Sequence, residues 1–404
     1  MSKKLSCGMV GGDLGSFIGN VHRSAMMLDP RVRLVSGCFS RHAEKNAACG
    51  ERFDIDPSRL YTDWREMVKA EAARGEDKID FVSVCTPNYV HYEVCREFLL
   101  AGVNVVCEKP LCFEVSEAEE LCRLAKERGL VFAVTYTYTG YNMVKVMRQM
   151  IGRGDIGDIV SVSAEYVQDW LLDELSREGE VNSGIWRTDP KFTGIGNTVG
   201  DIGTHMENIV HYLTGLRIKR LCATVDRYGK KLDYNDNILV EYENGVHGSY
   251  WCSQVAAGKL NGLRLGIYGT KGALEWEQHY PDYVRFTRHG GAPQILSKGC
   301  AFLDVPAAAG ARLPSGHPEG FYCAFANIYR NVATTLLKLK SGETPTAEDL
   351  DFQTVENGLD GVRFVHAVIE SGEKDSAWVE LGLFASCYRS RLPSRLPRVK
   401  PIAI

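Results

Sequence analysis

Short apolar runs alternate with amphipathic segments over the first 135 residues of the chain. The runs read LSCGMVGG, RVRLVSGCFS, FVSVCTPN, NVVCEKP and LVFAVTYTY, and β-branched residues are common in them. The segments between them, such as HYEVCREFLLAG and SEAEELCRLAKERG, have helical periodicity, and Gly102 and Gly129 follow them as glycines that end helices. This alternation predicts a parallel sheet covered by helices on both faces, the doubly wound or Rossmann arrangement.

The pattern changes after about residue 155. Longer strand-like stretches follow one another with few helices between them, and hairpin signals occur at Glu243-Asn244-Gly245 and between Gly269 and Gly272. One helix is predicted near 203–215, and two more after residue 320. We therefore predict a second α/β domain that has a large, mostly antiparallel open sheet.

The length of 404 residues agrees with two domains. Residues 1–140 are predicted to form the Rossmann domain and 141–385 the second domain, whose last helices are candidates for packing back on the first. Residues 386–404 are basic and rich in proline, and we expect them to form an extended arm.

Composition narrows the class of protein. The net charge of about -4 gives no reason to expect a nucleic-acid or anionic-membrane partner. The apolar runs are too short for a transmembrane helix, and the N-terminus lacks the apolar run of a signal peptide. Thirteen cysteines are scattered without a C-x-x-C pair, which indicates reduced thiols in a cytoplasm and neither disulfides nor a metal site.

Glycines crowd the end of the first strand, at Gly11, Gly12, Gly15 and Gly19. In a doubly wound sheet such a turn lets the backbone approach a pyrophosphate, which then lies at a helix N-terminus. The spacing is longer than G-x-G-x-x-G, and a purely structural turn is the alternative. The predicted cofactor contacts are Gly11, Gly12, Leu14, Gly15, Ser16, Phe17 and Ile18.

The second strand ends at Phe39-Ser40-Arg41-His42, where dinucleotide-binding folds usually carry an acid for the adenosine ribose. No carboxylate stands there. Because a guanidinium matches a phosphate, Ser40 and Arg41 are candidates for contacting a 2′-phosphate, and solvated turn residues are the alternative. We predict NAD as the cofactor and leave NADP open.

Three polar residues suit hydride-transfer chemistry. Lys109 directly follows the fourth strand, at the edge where doubly wound sheets bind ligands. Asp201 and His205 are four residues apart and share one face of the predicted helix. Oxidation of a secondary alcohol needs a base for the hydroxyl proton, which suits a histidine, and a cation near the reacting oxygen. A helix cap for Asp201 and a surface position for His205 are the simpler alternatives.

The ordered set of motifs resembles the Gfo/Idh/MocA oxidoreductase family over nearly the whole chain. The set is the glycine turn, Thr86-Pro87-Asn88-x-x-His91, Glu108-Lys109-Pro110 and Asp201-x-x-x-His205. The resemblance implies bound NAD(H) or NADP(H) and oxidation or reduction of a sugar or cyclitol hydroxyl. It also implies a second-domain sheet that often builds oligomers, so we expect a dimer or tetramer.

The same resemblance implies roles for single residues. The catalytic lysine of the family maps onto Lys109, and its paired aspartate and histidine map onto Asp201 and His205. The cofactor side is implied to include Thr86, Pro87, Asn88, His91, Glu108 and Lys109. The long glycine turn and the missing ribose acid depart from the family pattern, and both bear on cofactor preference.

Two segments ahead of Asp201 carry polar and aromatic residues that suit a sugar, and they resemble parts of inositol, levoglucosan and glycoside dehydrogenases of the family. EYVQDW supplies Gln168, Asp169 and Trp170, while GIWRTDP supplies Trp186 and Arg187, which are also cofactor candidates. Further candidates for the substrate are Tyr136, Tyr138 and Tyr141, together with His317, which is predicted to open a helix. Core packing is the alternative for the tryptophans, and a salt bridge is the alternative for Arg187.

These observations predict an NAD(P)-dependent dehydrogenase that oxidises a ring hydroxyl, with C3 favoured, of an unphosphorylated sugar, glycoside or cyclitol. The alternative is a glycoside-processing enzyme that keeps its NAD tightly bound and recycles it. A sensor without catalysis is a third hypothesis, which the intact set of Lys109, Asp201 and His205 disfavours.

Overall fold

The structure is a computed structural model that describes residues 4–176, 186–300, 303, 307 and 310–382. The arm predicted at 386–404 lies outside these residues. The strands of the described part are β1 (Leu5–Gly11), β2 (Val32–Cys38), β3 (Phe81–Cys85), β4 (Asn104–Cys107), β5 (Phe132–Val134), β6 (Ile159–Val167), β7 (Ile218–Asp226), β8 (Asn235–Tyr242), β9 (His247–Ser253), β10 (Gly262–Gly269), β11 (Gly272–Glu277), β12 (Tyr283–Arg288), β13 (Gln294–Ser297) and β14 (Val379–Glu380).

The α-helices of the described part are α1 (Phe17–Met27), α2 (Ala43–Phe53), α3 (Trp64–Ala72), α4 (His91–Leu100), α5 (Val115–Arg128), α6 (Asn142–Arg153), α7 (Leu172–Leu175), α8 (Pro190–Thr193), α9 (Thr204–Thr214), α10 (Phe321–Lys340) and α11 (Val355–Glu373). The described chain divides into two compact units. The first comprises the residues up to Gly140 together with Phe321–Leu359, and the second comprises Tyr141–Gly320 and the residues from Asp360 onward.

A parallel sheet forms the centre of the first unit. Its strand order in the described residues is β2-β1-β3-β4-β5, and every neighbouring pair is parallel. Helix α10 packs against this sheet, because Phe325 and Tyr329 are buried in one apolar cluster with Phe81 of β3. Full burial of such a side chain contributes about 1.5–3 kcal/mol. The predicted doubly wound sheet is confirmed.

An open sheet forms the second unit. Its strand order in the described residues is β13-β12-β11-β10-β6-β9-β8-β7-β14. Strands β6 and β9 run parallel, and the other described neighbours run antiparallel. Ile238 and Val240 of β8 are buried while Asn237 and Leu239 are exposed, as a sheet with one covered face requires. The predicted, mostly antiparallel sheet is confirmed.

The helices of the second unit cover one face of this sheet. Helix α9 contacts both β6 and α6. Helix α6 was not predicted, although its buried residues Met143, Val146, Met147 and Met150 recur at helical spacing. A π-helical turn, Val199–Gly203, precedes α9 and carries Asp201. Within the described residues, no helix is long and apolar enough to cross a membrane.

Candidate active site

The glycine turn after β1 is shaped by backbone that a side chain would obstruct. Gly11 and Gly12 have φ angles of 80° and 77°, which L-residues with side chains rarely adopt. A Cβ on Gly19 would lie 2.4 Å from the Gly12 Cα, so helix α1 and the strand end approach each other closely at this pair. A Cβ on Gly15 would meet only the Asp13 Oδ1, at 3.5 Å. The close-packing role therefore belongs to Gly19 and not to Gly15.

The N-terminus of α1 follows this turn. Ser16 caps the helix, because its Oγ accepts a hydrogen bond from the Gly19 N–H at 3.0 Å. Leu14 and Phe17 are 45% and 70% exposed, and Ile18 packs partly into the core beneath them. The glycine turn and the helix N-terminus suit the pyrophosphate of a dinucleotide. The exposed apolar side chains beside them suit its ring faces.

No acid stands at the end of β2, as the sequence indicates. Ser40 is half-buried, and its Oγ accepts the His42 N–H at 3.2 Å, so it stabilises the turn. Arg41 is exposed. A guanidinium in this position is available to a phosphate, whereas a carboxylate for ribose hydroxyls is missing from Phe39 to His42.

His91 joins two loops at the carboxyl ends of neighbouring strands. Thr86 follows β3, and Glu108 follows β4. The His91 ring is fully buried, with Nε2 at 2.8 Å from the Thr86 carbonyl oxygen and Nδ1 at 2.9 Å from that of Pro110. Burial lowers the pKa of His91, and the contacts with the carbonyl oxygens oppose this effect. His91 thus braces the loops, while the adjoining Pro87 is exposed and Asn88 is half-buried.

A buried polar chain lies directly behind Lys109. The Glu108 Oε1 accepts from the His22 Nε2–H at 2.9 Å and from the Thr135 hydroxyl at 2.5 Å. The His22 Nδ1 lies 2.6 Å from the Tyr329 hydroxyl. Burial acts to raise the pKa of Glu108, but the hydrogen bond from His22 and the Lys109 charge outweigh it, so that the pKa is lowered.

Lys109 itself is half-buried at the carboxyl end of β4. Ligands of doubly wound sheets bind at this edge, so the position suits an ammonium that contacts cofactor or substrate. Several predicted site residues lie in the first unit, at or directly after the ends of β1, β3 and β4. They are the glycine turn, Thr86, Glu108 and Lys109.

Asp201 and His205 lie in successive turns in the second unit. The Asp201 Oδ2 accepts a hydrogen bond from the Gln254 Nε2 at 2.8 Å, and its Oδ1 lies 3.7 Å from the Arg187 Nε. His205 is 6% exposed, and its ring centroid lies 5.9 Å from that of Tyr166. The π-helical turn that carries Asp201 is a rare geometry that occurs frequently at functional sites.

Asp233 fixes the start of the π-helical turn. Its Oδ1 accepts from the Asn197 N–H at 2.5 Å, and its Oδ2 accepts from the Val199 N–H at 2.7 Å. Sequence analysis missed both Asp233 and Gln254. The position of Gln254 directly after β9 could have indicated its role. Strands β6 and β9 run parallel, so the residues that follow them lie side by side. The Gln168 N–H donates to the Ser253 carbonyl at 2.8 Å at that point.

The predicted sugar-binding residues after β6 form one hydrogen-bonded group. The Gln168 Oε1 accepts from the Trp170 Nε1–H at 2.9 Å, and its Nε2 donates to the Asn261 Oδ1 at 2.7 Å. The Asp169 Oδ2 accepts the Gly258 N–H at 3.0 Å, and Trp170 is 41% exposed. An exposed indole held by an amide suits the C–H face of a sugar ring.

Other candidates lie elsewhere. Tyr136 and Tyr138 are buried in the first unit, where the Tyr138 ring packs 6.5 Å from that of Phe321. Tyr141 is buried in the second unit, with its ring 5.6 Å from that of Trp276. His317 is exposed in a turn four residues before α10 begins, so it does not open that helix. The side chain of Trp186 lies outside the described residues, whereas the Arg187 side chain is 40% exposed.

Two family models match the chain. "Oxidoreductase family, NAD-binding Rossmann fold" matches residues 5–136, and "GFO/IDH/MocA C-terminal domain" matches residues 144–275. An uncharacterized oxidoreductase of Bacillus subtilis, YfiI, is 34% identical over 389 residues, which cover 94% of this chain and 98% of that protein. A levoglucosan dehydrogenase of Pseudarthrobacter phenanthrenivorans is 26% identical over 317 residues, which cover 70% of this chain and 76% of that protein.

One solved structure is similar over almost its full length. It is an inositol dehydrogenase homolog from Azotobacter vinelandii in complex with NADH and myo-inositol. Its sequence is 33% identical, the match covers 94% of this chain and 98% of that chain, and the TM-score is 0.86. The predicted family resemblance and the predicted NAD cofactor are confirmed.

Proposed function

Because this chain belongs to the Gfo/Idh/MocA oxidoreductase family, whose members include NAD-binding dehydrogenases of sugars and cyclitols, we propose that it oxidises one ring hydroxyl of an unphosphorylated substrate. The substrate class is a sugar, glycoside or cyclitol, and C3 is the favoured position. The observation that carries the proposal is Asp201, held by Gln254 at 2.8 Å one turn ahead of the buried His205.

The residues of the first unit support cofactor binding. The backbone of Gly11 and Gly12 and the N-terminus of α1 would hold the pyrophosphate. The loops after β3 and β4, joined by His91, would line the nicotinamide side. Bound NAD supplies the acceptor for the hydride that leaves the substrate carbon.

The chain's own residues handle the proton and the charge. His205 takes the hydroxyl proton as general base, a step that contributes about 10²–10⁴-fold. Lys109 places a positive charge on the oxygen on which negative charge develops, and Asp201 orients His205 and a neighbouring hydroxyl. Trp170 and Gln168 contact the ring and its vicinal hydroxyls.

The test starts with the purified protein. Small molecules released from it are identified by absorbance and mass spectrometry, and NADH formation is then followed at 340 nm with inositols, glucose, xylose and glycosides, using NAD and NADP. We expect one sugar or cyclitol to drive net reduction, and NMR of the product identifies the oxidised carbon. Stoichiometric bound NAD(H) without net reduction, together with release of an aglycone or a 3-keto sugar, would contradict the simple dehydrogenase.

Lys109→Ala is the matching variant, with Lys126→Ala on the exposed face of α5 as control. We expect Lys109→Ala to lose turnover while NAD binding and the unfolding temperature stay close to those of the wild type. Activity near that of the control would remove the role assigned to Lys109.

A further inference from the structure

Gln254 is fully buried directly after β9, and both ends of its side-chain amide are engaged. The Oε1 lies 3.1 Å from both the Asn197 Nδ2 and the Thr198 Oγ1, which donate to it. The Nε2 donates to the Asp201 Oδ2 at 2.8 Å and faces the Gln168 Oε1 at 3.5 Å. A buried amide with this many partners has a structural or catalytic reason for its identity.

The orientation of this amide is fixed by chemistry. An ionised carboxylate has no hydrogen to donate, so the group that faces Asp201 must be the NH₂ end of Gln254. A reversed amide would set two acceptor oxygens 2.8 Å apart and would turn a donor toward the Asn197 Nδ2, which is itself a donor. The observed arrangement avoids both conflicts.

The amide also joins Asp201 to the group after β6. Gln254 faces Gln168, whose Oε1 accepts the indole N–H of Trp170 at 2.9 Å. The Gln168 Nε2 donates to Asn261, which also accepts the Tyr166 hydroxyl at 2.8 Å. A continuous chain of polar contacts therefore leads from an exposed tryptophan to the proposed catalytic carboxylate.

We infer that Gln254 is a positioning residue, whose amide holds the Asp201 carboxylate in one orientation and couples it to the Gln168–Trp170 group. The inference rests on the proposed function, since it assigns Gln254 a role through Asp201. Hydrogen bonds between a neutral donor and a carboxylate are among the stronger ones in proteins, and positioning errors of about 1 Å reduce rates about 10²-fold.

Charged and titratable groups surround this contact in the described residues. Arg187 lies 3.7 Å from the Asp201 Oδ1 and favours negative charge on Asp201. His205 follows one turn later, and Asp233 is bonded to the N–H groups of Asn197 and Val199. Beyond these, Asp236 lies next to Asp233, and its pKa is raised by burial and by that neighbour. Asp169 is engaged by the Gly258 N–H.

Gln254→Glu separates positioning from simple packing. The new carboxyl group has the same shape, and while it carries a proton its O–H replaces the amide N–H as donor to Asp201. Two carboxyl groups 2.8 Å apart share one proton, and the pKa at which that proton is lost is raised. Arg187 favours the negative charge on Asp201. Once that proton leaves as the pH rises, two carboxylates repel each other and the donor is lost.

The experiment measures kcat/KM of the full-length enzyme against pH with the sugar or cyclitol found in the first screen. We expect the ratio of Gln254→Glu to wild type to be highest at acidic pH and to fall about 10- to 100-fold as the pH rises. Gln254→Met, which lacks a donor, is expected to lower kcat/KM at every pH. Gln294→Glu, on the exposed edge strand β13, adds the same carboxylate elsewhere and should leave the profile unchanged.

A pH-independent ratio for Gln254→Glu, or wild-type activity of Gln254→Met, overturns the inference. If Gln254→Met does not fold, the pH trend of Gln254→Glu decides alone. Asp201→Asn distinguishes the two proposals. An active Asp201→Asn removes the proposed role of Asp201 together with the inference, whereas an inactive Asp201→Asn beside a flat Gln254→Glu ratio removes the inference alone.

Discussion

The Glu108 Oε1 and the His22 Nε2 are 2.9 Å apart inside the first unit, and Glu108 immediately precedes Lys109 in the chain. His22 lies on α1, which follows the glycine turn, so this contact joins α1 to the loop that carries Lys109. The pair is almost fully enclosed, since the His22 side chain is 0% and the Glu108 side chain 9% exposed.

Glu108→Gln is expected to destabilise the protein in a pH-dependent way. A carboxyl group whose folded pKa is lowered contributes stability that is present above its ordinary pKa, about 4.3, and is lost as the pH falls through the lowered value. We expect a loss of about 1–3 kcal/mol of unfolding free energy at neutral pH, which shrinks below about pH 4. Urea unfolding of both proteins between pH 3 and about pH 7 measures this difference.

Glu127→Gln on α5 is the control for that measurement, because its contact with Arg123 is on the surface, with both side chains 55% exposed. Surface pairs of this kind contribute about 0–1 kcal/mol. An equal loss in both variants, or a Glu108→Gln loss that stays constant on acidification, would contradict the role of the buried pair.

Gly19→Ala is expected to weaken both folding and cofactor binding. The added methyl group would lie 2.4 Å from the Gly12 Cα, so helix α1 must move away from the strand end. Overpacking of this kind destabilises by about 1–3 kcal/mol. Thermal unfolding and NAD titration measure both effects. Gly15→Ala in the same loop would meet only the Asp13 Oδ1, at 3.5 Å, and a Gly15→Ala protein as destabilised as Gly19→Ala would refute this assignment.

His205→Ala is expected to lower kcat by about 10²–10⁴-fold with little change in NAD affinity, because the hydroxyl proton loses its acceptor. Added imidazole should restore part of the rate if the missing group is a base. His289→Ala at an exposed turn is the control. A rate of His205→Ala close to that of the control would show that another group accepts the proton.

Arg41→Ala is expected to lower the ratio of kcat/KM with NADP to that with NAD by about tenfold, because one charge-assisted contact to the 2′-phosphate is lost. Steady-state kinetics with both nucleotides gives the ratio directly. Arg128→Ala, at the exposed end of α5, is the control. An unchanged ratio identifies Arg41 as a solvated turn residue.

The sequence predicted the elements whose periodicity is local. The five strands of the first sheet, the hairpins at Gly245 and Gly269, and α9 agree with the structure. The absence of an acid after β2 can be read directly from the sequence. These features depend on residue order within one short segment, and such order is visible in the printed chain.

The remaining features depend on contacts between distant segments. Gln254 is 53 residues from Asp201, and no short motif marks a glutamine as the partner of a carboxylate. The burial of Tyr138 follows from its packing against Phe321, which is remote in sequence. Similarly, the closest approach within the glycine turn joins Gly12 to Gly19, although Gly15 has the more familiar spacing.

The first unit is built from two segments that are far apart in the sequence, and this has a consequence for folding during translation. Helix α10 covers the sheet of that unit, and the Asn327 Nδ2 donates to the Gly140 carbonyl at 2.9 Å, yet the whole stretch Tyr141–Gly320 of the second unit separates Gly140 from Phe321 in the sequence. At about 5–20 residues per second, translation of that stretch takes about 10–40 s. During this time the nascent N-terminal sheet lacks the helix that covers its apolar face, and exposed apolar surface of this kind is prone to aggregation until α10 has been made.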